Sequence, residues 1–284
     1  MPEDHNQNET NMQSTDQPDA KSKEFGHETI ADTSVLTDFW RAMALLSRVP
    51  VYHIDDFRPV MIARSVWCWP LVGLVLAGFA LLPAMLAHYL TGNAVIFAIF
   101  AVASMVLLTG AMHEDGLADC ADGFGGGVDQ ARKLEIMRDS TVGTYGVVAL
   151  ILGLALRLTL IMAAADMGQG AVIFLVVAVI SRAAIPVMMR ILPPARDNGL
   201  GKGAGRPDGL PILIGLAIAT VIVLVLSGIV ATLAVSCGVA LAICLVRLVA
   251  KWQIGGQTGD VLGATQICAE LFAGIGFIAA MTMA

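Results

Sequence analysis

Charge is scarce in this sequence. Only 14% of its 284 residues are Asp, Glu, Lys or Arg, against about 25% in an average soluble domain. Basic surplus is lacking too. The first 34 residues hold eight acids (Glu3, Asp4, Glu9, Asp16, Asp19, Glu24, Glu28, Asp32) against two bases (Lys21, Lys23), which accounts for the whole formal charge of −6. A protein that tracks a phosphate backbone needs an excess of Lys and Arg, so nucleic acid is excluded as a partner. No two of the five cysteines (Cys68, Cys120, Cys237, Cys244, Cys268) are spaced C-x-x-C, and four lie in apolar runs. They read as small buried thiols, which argues against a structural zinc site or a disulfide framework. The phosphate-loop string G-x-x-x-x-G-K-[ST] is absent. Large apolar residues are almost missing from residues 1–34, so that segment is expected to be a disordered acidic tail. It also lacks the basic stretch and apolar run of a secretory leader.

Apolar residues fill the space that charge leaves. They make up 57% of the chain, with a mean hydropathy of +0.76. An all-α polytopic membrane protein is expected, with the integral membrane domain covering residues 35–284. About 20 apolar residues cross a bilayer core, and seven segments qualify: Val66–Leu90, Ala94–Met112, Val142–Ala164, Ala171–Ile191, two spans in Leu210–Ala250 divided near Ser227-Gly228, and Ala264–Met283. Leu36, Phe39, Trp40, Met43 and Leu46 recur at helical spacing, which predicts an N-terminal amphipathic helix lying at the membrane interface. Bases fall only in alternate connections: Arg41, Arg48, Arg58 and Arg64; Arg132, Lys133 and Arg138; Arg196, Lys202 and Arg206; Arg247 and Lys251. The positive-inside rule makes those connections cytoplasmic, with the N-terminus inside and the C-terminus outside.

The chemistry gathers on that same side. The string from His113 to Gly123 contains Asp115, Asp119 and Asp122 at i, i+4 and i+7. At about 100° per residue all three share one helix face. Three carboxylates in a stripe repel one another unless a cation lies among them, and hard oxygen ligands suit Mg²⁺. The alternative is a solvated acidic helix end. Gly123, Gly125, Gly126 and Gly127 are expected to stop that helix and to let backbone N–H groups approach an anion, with a plain turn as the alternative. Arg138 could hold a phosphate bidentately or anchor the chain at the membrane surface. Arg157 and Arg182 fall inside spans, where an ionisable residue marks a functional site, or for Arg182 an interhelical ion pair with Glu270. The segment from Asp197 to Arg206 combines four glycines with Lys202 and reads as a phosphate cradle or a mobile basic loop. Gly255-Gly256-Gln257-Thr258-Gly259-Asp260 adds another carboxylate. His53 and His88 are taken as structural. Carboxylates, Arg/Lys donors and glycine loops together point to metal-dependent phosphoryl-group transfer.

The strings are more specific than their parts. His113–Gly127, Ile136-Met137-Arg138-Asp139-Ser140, Gly143-Thr144-Tyr145-Gly146 and Gly255–Ala264 closely resemble the adenosylcobinamide-GDP ribazoletransferase (cobalamin synthase) family, as do Trp69-Pro70-Leu71-Val72-Gly73 and Ser181-Arg182, in the expected order. The resemblance covers residues 36–280 and departs at Thr141, where the family usually has Arg. It implies a bacterial inner-membrane enzyme that joins adenosylcobinamide-GDP to α-ribazole or its 5′-phosphate. The products are adenosylcobalamin or its 5′-phosphate, and GMP. Mg²⁺ is the implied cofactor, held by Asp115, Asp119 and Asp122. Catalytic roles go to His113, Asp119 and Asp122, with His113 or a carboxylate taking the hydroxyl proton. Gly125, Gly126, Arg138, Arg182, Lys202 and Asp260 would contact substrate. The implied partners are these substrates and the lipid bilayer, with a homo-oligomer left open. Two other readings stand beside it. Asp119-x-x-Asp122-Gly123 echoes the opening of the CDP-alcohol phosphotransferase motif, although Ala131-Arg132 comes too late for the rest. A divalent-cation transporter would need more acids within spans than Glu270.

Overall fold

Apolar helices account for almost every ordered element of the computed structural model, which describes residues 34–51, 54, 56–196 and 203–283. The expected acidic tail, His53 and Lys202 lie outside the described residues. The helices run α1 (Val35–Leu46), α2 (Pro59–Ser65), α3 (Trp69–Thr91), α4 (Ala94–Thr109), α5 (Met112–Gly126), α6 (Gln130–Ile136), α7 (Thr144–Asp166), α8 (Gly170–Ile191), α9 (Gly209–Ile254) and α10 (Gly259–Met283). A 3₁₀ turn at Val66–Cys68 joins α2 to α3. No strand occurs among the described residues, only an isolated parallel bridge between Pro194 and Gln257.

Five of the described helical segments are long and apolar enough to cross a membrane, or six if the bent pair α4 and α5 is one span. The longest, α9, has 46 residues. At 1.5 Å per residue it would reach about 69 Å, twice a bilayer core. Gly228 divides it, with φ 76° and ψ 176°, a conformation essentially confined to glycine. Both arms, 209–227 and 229–254, are long enough to span, as the division near Ser227-Gly228 anticipates.

Burial sorts the helices into centre and rim. α8 is covered on nearly all sides, through Phe174, Ile173, Met188 and Met189 among others. α7 and α9 instead leave Ile151, Leu152, Val225, Ile229 and Leu233 more than half exposed. Apolar surface of that extent is costly in water and ordinary against lipid. The chain is a multi-pass membrane protein.

Helix α1 forms where the apolar spacing places it, started by Ser34, whose hydroxyl accepts the Thr37 N–H at 3.1 Å. Ala42, Met43 and Leu46 of its apolar stripe pack into the protein core, while Val35 and Leu36 remain exposed. Asp38 and Arg41 are 1% exposed and paired at 2.9 Å. Asp38 also takes Arg64 at 3.2 Å and the Trp67 indole N–H at 3.3 Å. A buried charge needs such partners, and these tie α1 to α2 and to the 3₁₀ turn that leads into α3.

Candidate active site

The site is built on α5, which turns 87° away from α4. The turn is made by Gly110 at φ 65° and Ala111 at φ 57°. Ala111 is the only described residue other than glycine with positive φ, a strained choice for an L-residue. The helix is two-faced. Leu117, Cys120, Ala121 and Phe124 line an apolar cavity against α9 and α10. Asp115 and Asp119 lie on the opposite face, the first exposed and the second half-buried.

Helix α10 brings Asp260 to them. Gly116 of α5 faces the Asp260 backbone so closely that a Cβ there would lie 2.7 Å from its carbonyl oxygen and 3.2 Å from the Gly263 Cα. The 255–260 segment is more than a turn. Its Gln257 N–H donates to the Pro193 carbonyl and its Gln257 carbonyl accepts from the Ala195 N–H, both at 2.8 Å. A Cβ on Gly256 would collide with that Pro193 carbonyl. This short ladder delivers Arg196, whose Nη2 donates to Asp260 Oδ2 at 3.1 Å, while Thr258 donates to the same oxygen at 3.0 Å. Arg196 Nη1 is buried without a partner among the described residues.

The electrostatics follow from this crowding. Burial, then the charges of Asp115, Asp260 and Asp122, push the Asp119 carboxyl up to about 7, against the pull of Arg196. Among the described residues, no group of three or more Asp, Glu, His or Cys side chains is placed to hold a metal ion. Carboxylates of α5 and α10 and one cation, Arg196, meet in the cleft between the two helices.

Several expected site residues take other places. Asp122 is on the predicted helix, but both its oxygens are committed: Oδ2 accepts the Gly143 N–H at 2.7 Å and Oδ1 the Gly146 N–H at 2.8 Å. It is 8% exposed and caps α7, satisfying donors that no turn precedes. Gly143 and Gly146 permit this approach, since a Cβ on either would strike the Asp122 carboxylate. The glycine run does not stop α5 at Gly123. The helix continues to Gly126 and is capped by Gly127. Gly123 and Gly125 are small because Met137 and the Tyr145 ring press against them, so helical backbone stands where an anion-binding loop was expected. Gly126 and Arg138 are exposed, Gly126 on a cavity of about 310 Å³ beside Asp122 and Tyr145.

His113 points away from the carboxylates. It is 3% exposed and its Nε2 has no partner among the described residues, so it is enclosed rather than open to a substrate. Arg182 is 1% exposed, with Nη1 on the Ala178 carbonyl at 3.0 Å and Nη2 3.5 Å from the Met105 sulfur. It is enclosed in the bundle and does not line the cleft. The expected ion pair with Glu270 belongs to Arg157 instead, at 2.6 and 2.7 Å, and Arg157 also reaches Glu114 at 2.6 Å. In the sequence Arg196 stands out only as a topological charge, and Glu114 as one acid in the His113–Gly123 string. Position beside the 197–206 glycine segment was the available signal for Arg196.

The sequence has relatives along nearly its whole described length. Residues 38–278 match the family model described as cobalamin-5-phosphate synthase. A curated relative from Bradyrhizobium diazoefficiens, named adenosylcobinamide-GDP ribazoletransferase, is 40% identical over 87% of this chain and 94% of its own. Its namesake from Azorhizobium caulinodans is 41% identical over 84% and 93%, and one from Sinorhizobium medicae 39% over 83% and 95%. No solved structure matches. With a match that spans almost the whole described bundle and includes every element of the cleft, the chain belongs to the cobalamin-5-phosphate synthase family.

Proposed function

We propose that this protein transfers the cobinamide phosphate of adenosylcobinamide-GDP to a hydroxyl of α-ribazole or its 5′-phosphate, releasing GMP, in the bacterial inner membrane with the cleft facing the cytoplasm. The observation that carries the reading is the cleft itself: Asp115, Asp119 and Asp260 act on one another's charge near Arg196, whose buried Nη1 has no partner among the described residues. An unpaired guanidinium N–H is expensive to bury, and a phosphate oxygen is its natural acceptor. The positive-inside distribution supports the orientation.

The residues present fit a divalent cation. Mg²⁺ is usually held by one or two carboxylates plus substrate phosphates rather than by an all-protein cage, so an open pair such as Asp115 and Asp119, with Asp260 adjoining, suits it. Bound there, it would neutralise charge on the diphosphate as the leaving group departs. Arg196 would hold the phosphate oxygens and orient the phosphorus. The acceptor oxygen forms its bond to the cobinamide-side phosphorus while the bond to the GMP oxygen breaks. The hydroxyl proton passes to a carboxylate of the cleft, His113 being enclosed. Asp122 acts indirectly, by fixing α7 against α5.

Detergent-purified protein given adenosylcobinamide-GDP, α-ribazole and Mg²⁺ is expected to yield a cobamide and GMP, resolved by chromatography, with the product lost on EDTA and restored by Mg²⁺. Folded protein inert with this donor but active on CDP-diacylglycerol would replace the reading with the lipid phosphotransferase. Arg196→Gln is expected to raise the donor KM by about 10-fold or more, the scale of a charge-assisted hydrogen bond.

A further inference from the structure

The most heavily charged part of the interior touches none of the cleft's reacting groups. Arg157 of α7 is 4% exposed, Glu270 of α10 4% and Glu114 of α5 8%. Arg157 binds Glu270 through Nε and Nη2 at 2.6 and 2.7 Å, and Glu114 through Nη1 at 2.6 Å. Gln266 extends the group, donating to Glu270 at 3.0 Å and to the Ser181 hydroxyl at 2.9 Å. Buried ion pairs of this kind seldom add net stability over well-packed apolar residues, and their best-attested use is to fix one arrangement among alternatives.

We infer that Arg157 is a positioning residue: by clamping Glu114 to Glu270 it sets the roll of α5, and so aims Asp115 and Asp119 at Asp260. Helix α5 needs such a device. It leaves α4 at a sharp turn through two left-handed residues, so α4 does not dictate its rotation. Its other ties include the close backbone approach of Gly116 and Met112–His113 to Asp260 and Gly263, the packing of Gly123 and Gly125 against Met137 and Tyr145, and the Asp122 cap on α7. The glycine contacts with α10 set distance, and the cap and the Gly123–Gly125 packing lie toward the far end of the helix. Glu114 precedes Asp115 by one residue, about 100° around the axis, so holding Glu114 fixes the direction of the carboxylate face. Glu270 lies on the helix that carries Asp260, so the clamp references one half of the cleft to the other. The inference rests on the proposed metal-dependent reading of that cleft.

The test uses the full chain in detergent. The triple variant Glu114→Gln, Arg157→Met, Glu270→Gln removes the clamp's three charges together and leaves one buried cation, Arg182, which the two glutamates also balance. It is expected to elute like the unsubstituted protein and to unfold at a lower temperature. Its α5 amides should exchange hydrogen about 10-fold faster, with α8 unchanged. Mn²⁺ affinity, read by the EPR signal of the free ion, should fall by about 10-fold or more, as it does when supports of metal ligands are removed. Arg157→Lys, which keeps the charge but cannot hold two carboxylates in a fork, should fall between the two and carries the test if the triple variant does not fold. Unchanged α5 exchange together with unchanged Mn²⁺ affinity overturns the inference. If the unsubstituted protein binds no Mn²⁺ while the variant's α5 exchange still rises, the metal reading fails and the positioning role stands.

Discussion

Asp119→Asn is expected to lower kcat/KM by about 10³-fold or more while leaving the protein folded and membrane-inserted. The substitution removes a charge at constant volume, and the charge stands where burial and three other carboxylates already oppose it. A group held against such opposition adds little to the stability of the free protein. Its value lies in what it does once a cation and a diphosphate arrive, and losing one preorganised charge at a transition state costs 10²–10³-fold or more. Asp122→Asn should behave differently, although it shares the same helix face. Its oxygens cap α7, so an amide must turn one N–H toward a backbone donor. A stability loss of about 1–2 kcal/mol is expected, the range of an N-cap removal, with Mn²⁺ affinity changed far less than in Asp119→Asn. Thermal unfolding alongside Mn²⁺ titration separates the two. Equal losses of Mn²⁺ affinity would return Asp122 to the metal site.

The contrast shows where the sequence stopped being informative. Helical period placed Asp115, Asp119 and Asp122 on one face, and they are on one face. Period says nothing about a backbone N–H 21 residues downstream, which is where Asp122 is used. The same limit explains Arg157 and Arg182. Both were legible as intramembrane cations, but choosing which one meets Glu270 requires knowing how α7, α8 and α10 are rotated against each other. Hydropathy located the spans because bilayer thickness fixes their length, and the break at Gly228 followed from that length alone. Hydropathy marked the apolar stripe of α1 but not which of its residues, Ala42, Met43 and Leu46, meet the protein core. Glycines misled most. Their composition suggested an anion-binding loop, whereas Gly123 and Gly125 serve close helix packing, a use that leaves the same mark in sequence.

Close packing at one glycine supplies the second large effect. Gly116→Ala is expected to reduce turnover by about 10²-fold and to cost about 1–3 kcal/mol in stability. The new Cβ would lie 2.7 Å from the Asp260 carbonyl oxygen, 3.1 Å from its Cα and 3.2 Å from the Gly263 Cα. All three are backbone atoms of α10, so no side chain can swing aside and the helices must part. Overpacking of this kind carries an energy cost in that range. The functional loss is larger because the displaced atoms belong to Asp260 itself, and a shift of about 1 Å between reacting groups is enough for 10²-fold. Gly78→Ala in α3 is the matched control, since nothing lies within 4 Å of its Cβ position. It makes the same change in helix propensity, worth up to about 1 kcal/mol in favour of Ala, and activity should be unchanged. Turnover measured with saturating substrates and graded Mg²⁺ distinguishes the explanations for Gly116→Ala. A raised Mg²⁺ requirement locates the damage in the alignment of Asp115 and Asp119 with Asp260, whereas full activity at ordinary Mg²⁺ would mean that the α5–α10 approach does not define the cleft.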